Sequence, residues 1–171
     1  MNRREALTVL GGALFTSAAV LSACAREPRR VATGVLGLDD QDLVEEIADT
    51  LLPTTAASPG AKAAGAGAVI NLALTDCYTL EAQQRVLRGL TEFRGTRFAS
   101  LPRREREQLL RDLDAESKKA ADTHWYPLVR ELALGAYFST EVGMTQALRY
   151  VRVPGRWIGC MPLQPGQPAW G

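Results

Sequence analysis

The chain holds one histidine, in the run His124-Trp125-Tyr126, and three cysteines, Cys24, Cys77 and Cys160. One histidine cannot build a histidine-rich metal site. As a general base it needs a serine or cysteine nucleophile beside it, and none stands in a recognisable motif. A lone histidine among aromatics reads as a packed or surface residue. Asp39-Asp40 and Glu45-Glu46 are adjacent pairs, so they do not face each other on a helix, and paired-carboxylate chemistry has no candidate. Gly65-Ala66-Gly67 lacks both the strand and the third glycine of a dinucleotide fingerprint. There is no phosphate loop and no Cys-x-x-Cys-His haem motif. The residues therefore point to no catalytic, cofactor-binding or metal site in this chain.

The cysteines depend on compartment, which the first residues address. Arg3 and Arg4 form a positive start, and residues 6–23 carry no charge. This reads as a secretory signal over residues 1–23. The competing reading is a retained anchor, because the run is near the minimum span of a bilayer core. Its glycines, threonines and serines make it only weakly apolar. Asn2-Arg3-Arg4-Glu5-Ala6-Leu7 resembles a twin-arginine export signal, which carries folded cargo; the ordinary export route is the alternative. Leu21-Ser22-Ala23-Cys24 looks like a lipobox. In that resemblance the Cys24 thiol takes a lipid and anchors the protein to a membrane surface without spanning it. Otherwise Cys24 merely ends an ordinary signal. With Cys24 lipidated, Cys77 and Cys160 remain in an oxidising compartment. A bridge between them closes a loop of roughly 84 residues, worth about 4 kcal/mol in the chain-entropy picture. Two free thiols, or a bridge from Cys160 to a partner subunit, are the other outcomes.

The elements behind these residues read as helices. Residues 24–37 are a polar tether with glycine and proline. Beyond them, residues 38–171 form one domain. The leader carries two of the 20 basic and one of the 19 acidic residues, so the remainder is balanced, which argues against a nucleic-acid partner. Residues 38–42 are a helix start, with an acidic cap and acidic first turn. Leu43, Ile47, Ala48 and Leu51 recur at helical spacing until Pro53. Residues 54–67 are a small-residue loop. A short apolar helix then runs to Cys77. Thr79 caps the next, with Leu80, Val86, Leu87, Leu90 and Phe93 inward and Gly95 at its end. Pro102 opens a charged helix with a stripe of Leu109, Leu110 and Leu113, and pairs such as Glu107–Arg111 on its solvated face. Pro127 marks a kink or a late start in the apolar run 123–138. Residues 140–150 are the last helix. The fold class is all-α, a single domain of about five to six helices, with an extended C-terminal tail.

That tail carries Tyr150, Val151, Val153, Trp157, Met161 and Trp170 on a segment without regular structure, interleaved with Arg149, Arg152 and Arg156. Packing on the protein's own body, disorder, and burial in a partner are its three fates. Aromatics and arginine are enriched at interfaces.

The stretch Gly135-Ala136-Tyr137-Phe138-Ser139-Thr140-Glu141-Val142-Gly143, then Gln146-Ala147-Leu148-Arg149-Tyr150, Val153-Pro154-Gly155 and Gly159-Cys160, resembles a known family. It is similar to the small subunit (subunit 3, or gamma) of the gluconate 2-dehydrogenase type. Asp76-Cys77-Tyr78 and the early helix extend the resemblance over most of the mature chain. It implies a role rather than a reaction. A large FAD-containing subunit oxidises a sugar or sugar acid, and a cytochrome c subunit with haem c takes the electrons. The small subunit has no redox centre. It accompanies the large one through twin-arginine export to the periplasm and stays bound. The resemblance makes Glu141, Gln146, Arg149, Tyr150 and Trp157 the partner interface. The lipobox is not a defining trait of the family, and gluconate itself is not implied. A free-standing lipoprotein, acting as a binding or scaffolding module, is the alternative.

Overall fold

Helical periodicity becomes helical packing once each apolar stripe finds another. The computed structural model describes residues 34–120, 123–153, 155–156 and 158–170. Among these residues there are five α-helices and no strand: α1 Leu38–Leu51, α2 Ala66–Cys77, α3 Leu80–Phe93, α4 Arg103–Ser117 and α5 Tyr126–Phe138. Single 3₁₀ turns, Arg94–Thr96 and Phe98–Ser100, join α3 to α4. The chain is all-α, with an extended C-terminal tail.

Helices α1, α2 and α5 pack on one another, with α3 and α4 against them. Val44, Ile47 and Ala48 of α1, Ile70 and Leu74 of α2, Val86 and Leu90 of α3, and Val129 and Ala133 of α5 are fully enclosed. Phe93, Phe98, Trp125 and Tyr126 form an aromatic cluster, with successive ring centroids 5.2 to 5.9 Å apart. Gly89 admits it: a Cβ there would lie 2.1 Å from the Trp125 ring. No helix of the described residues is long and apolar enough to cross a membrane.

Several boundaries follow local chemistry. Thr79 accepts the Ala82 N–H at 3.3 Å and caps α3. Helix α1 ends at Leu51, ahead of Pro53. Pro127 lies in the first turn of α5, so it marks a late start and not a kink. The small-residue loop is tied down through its middle: Thr54 accepts from Gly60 N–H (2.8 Å), Asp49 from Lys62 N–H (3.1 Å), and the Tyr137 hydroxyl donates to the Pro59 carbonyl (2.8 Å).

Three expectations need correction. The start of α1 has no acidic cap. Gly37 is the capping residue, and Asp39 and Asp40 sit inside the first turn. There Asp40 is buried and receives the Arg94 guanidinium. Leu80 does not face inward; it is 67% exposed, because it opens α3 and the buried stripe begins only at Val86. The last helix does not reach Tyr150. Its turn widens into a π-turn, Gly143–Ala147, and the backbone is extended from Leu148. Gly143 lies so close to the end of α5 that a Cβ would come within 2.1 Å of the Tyr137 carbonyl oxygen.

The last residues of the stretch read as a tether belong to the packed body. Leu36 is fully buried, and Asn71 of α2 holds its backbone from both sides. Asn71 Oδ1 accepts the Leu36 N–H at 2.9 Å, and Nδ2 donates to the Leu36 carbonyl at 3.0 Å and to Gln41. Thr75 accepts the Val35 N–H at 2.8 Å. Gly34 allows this approach, since a Cβ would fall 2.3 Å from Asn71 Oδ1.

Candidate functional site: a closed apolar loop at the C-terminus

His124 is half-buried, stacks on Trp125, and its Nδ1 accepts the Tyr126 N–H at 3.1 Å at the start of α5. It acts as a local brace. Among the described residues no group of His, Cys, Asp and Glu is placed to hold a metal ion.

A cleft of about 310 Å³ lies beside Thr50, Glu107, Arg111, Asp114, Tyr126 and Arg130. Its carboxylates are already engaged. Arg103 sits 2.8 Å from Glu107, with Arg111 at 4.0 Å. Lys118 and Arg130 sit 2.7 and 2.6 Å from Asp114. The Arg103 hydrogen bond holds the Glu107 carboxyl below its usual range, and the Lys118 bond does the same for Asp114. Both stay ionised at neutral pH, so neither is a proton donor there. Burial pushes the Tyr126 phenol up to about 12, so it stays neutral. This wall is an ion-pair surface over a buried ring, without a nucleophile. A second groove, about 230 Å³ between α2 and α5, is lined by Val69, Ala73, Tyr78, Leu132, Gly135 and Ala136, with Glu131 and Ser139 at its rim. It offers shape and no chemistry.

The tail is different in kind. After the π-turn the chain leaves the core, then returns on itself. The Arg149 N–H donates to the Ala169 carbonyl at 2.7 Å, and Arg149 and Trp170 form an isolated bridge. The Arg149 guanidinium lies 4.2 Å from the centre of the Trp170 indole ring, a cation–π contact. Residues 149–170 are thus a loop closed at its base. Near its end Gln167 N–H donates to the Gln164 carbonyl at 3.0 Å, and Gly166 has φ +73. Pro165 and Gly166 occupy the two central positions of a type II turn, where proline fixes φ and glycine takes the positive one. The side chains on this loop face solvent: Val153 is 78% and Leu163 81% exposed, and Tyr150, Ile158 and Met161 are about half exposed.

Of the residues marked for an interface, Glu141, Gln146, Arg149 and Tyr150 are all exposed, along one stretch from the π-turn to the base of the loop. Trp157 lies outside the described residues, as do Arg3, Arg4 and Cys24. Cys77, at the end of α2, and Cys160, on the loop, are separate free thiols, and both are exposed. Sequence reasoning missed Ile158 and Leu163 among the loop's exposed apolar side chains and missed the closure by Arg149 and Trp170. The Gln164-Pro165-Gly166-Gln167 run was the available signal for a chain reversal.

Residues 39–155, well over half of the chain, match the family model described as gluconate 2-dehydrogenase subunit 3. No curated protein and no solved structure matches the chain.

Proposed function

Because the chain belongs to the gluconate 2-dehydrogenase subunit 3 family, we propose that it is the non-catalytic small subunit of a flavin-dependent sugar or sugar-acid dehydrogenase. In this reading it binds the large flavoprotein subunit and assists that subunit's export, folding and stability. The observation that carries it is the closed apolar loop, in a chain whose family is a subunit family. Large apolar side chains held in solvent on an ordered segment mark an interaction surface. The reading assigns FAD to the large subunit and haem c to a cytochrome subunit. This chain's part is binding. Arg3 and Arg4 direct twin-arginine export, and Cys24 takes a lipid that holds the complex at a membrane surface on the periplasmic side.

The test is removal of the gene from its native cells. Dehydrogenase activity in the periplasmic fraction should fall by at least tenfold and return when the full chain is restored. Unchanged periplasmic activity would leave the alternative, a free-standing lipoprotein module, as the better account.

A further inference from the structure

Resting on the small-subunit reading, we propose that residues 149–170 dock as a preformed loop into an apolar cleft rimmed by carboxylates on the dehydrogenase subunit. Charge argues for the rim. From residue 142 to residue 170 the chain carries Arg149, Arg152 and Arg156 and no aspartate or glutamate, although beyond the leader its charges balance. This segment is therefore net +3, while residues 24–141, with 15 basic and 18 acidic residues, are net −3. Arg152 and Arg156 are exposed, and neither pairs with a carboxylate among the described residues. Complementary charge at the edge of an interface steers encounter and sets register.

Shape argues for the cleft. Val153, Ile158 and Leu163 project from the loop as apolar anchors. The clasp of Arg149 on Trp170 and the turn at Gly166 hold the loop closed before it meets a partner. A segment already held in its bound form loses less freedom on binding. The backbone argues for a protein and against a bilayer. The described residues between 150 and 163 make no backbone–backbone hydrogen bond with other described residues. Hydrocarbon leaves such groups unsatisfied, whereas a protein cleft supplies donors and acceptors along an extended segment.

The experiment uses the tagged full chain with the large subunit from its native cells, in mild detergent, and reads flavin absorbance retained on the column. It compares wild type, the double variant Arg152→Glu/Arg156→Glu and Trp170→Ala, through washes of rising NaCl. These positions are exposed, and circular dichroism checks that each variant stays helical. The proposal expects retention that falls with salt, at least tenfold weaker binding for the charge reversal, and about threefold weaker binding for Trp170→Ala, the scale of an exposed cation–π contact. A yellow wild-type column with an equally yellow, salt-insensitive double variant overturns this proposal and leaves the small-subunit reading standing. A colourless wild-type column overturns both. A parallel sedimentation uses vesicles of phosphatidylcholine with phosphatidylglycerol. Arginine-dependent binding to them, with flavoprotein retention unaffected by the variants, assigns the loop to lipid and overturns the cleft.

Discussion

Asn71 shows how one side chain decides where the fold begins. Its amide supplies both a donor and an acceptor to the Leu36 backbone, inside a site with no access to solvent. Asn71→Leu keeps the volume and removes both bonds, leaving buried backbone groups unmet. Urea unfolding should show a loss of about 2–3 kcal/mol. Asp114, like Glu107, contributes to the pH dependence. Its folded-state pKa is depressed, first by the Lys118 hydrogen bond, so its contribution is present above the unfolded value. That contribution is lost as pH falls through the folded value. Asp114→Asn should lower the melting temperature slightly in the neutral range, leave it little changed in acid, and so flatten the acid limb of the profile. His124 is the side chain weighed above as a general base. Its only hydrogen bond among the described residues is to a backbone N–H beside it, so His124→Gln should leave the activity of the assembled complex unchanged. A loss of turnover with an intact complex would contradict that.

At the scale of elements, most helices were legible because their causes are local. Thr79 announces α3, Pro53 follows the end of α1, and the leucine stripe of α4 survives among its charges. What could not be read depended on other elements. Leu80 fits the period of α3, yet periodicity names a face and not how far along the helix that face is covered. At the π-turn Gly143 lies against the end of α5, where a Cβ would meet the Tyr137 carbonyl oxygen at 2.1 Å, a close approach that helical periodicity does not reveal. Gly143→Ala should accordingly cost about 1–3 kcal/mol by forcing that contact apart, read as a drop in urea midpoint. The loop was half legible. Its exposed apolar side chains and arginines stood in the sequence, but the bridge from Arg149 to Trp170 joins residues that no motif links. The cysteines divide in the same way. Counting allowed a bridge between Cys77 and Cys160, whereas the fold leaves both thiols free and exposed. Alkylation of the chain isolated from its native cells without reductant should label both; a mass two hydrogens lower, with no label, would restore the bridge.

At the scale of the molecule, a packed helical body carries a loop that adds nothing to its core. The two parts should separate. A chain lacking residues 149–171 should keep its helical signal and cooperative unfolding, since the enclosed side chains all precede the loop, and lose its partner. In the proposed small-subunit role, the body presents that loop to a flavoprotein. Co-purification of the tagged full chain from its native cells in mild detergent, with a visible spectrum of the eluate, tests this most directly. The proposed role predicts a flavin spectrum and a large co-eluting subunit in a fixed ratio to this chain. A lone, colourless chain would contradict it.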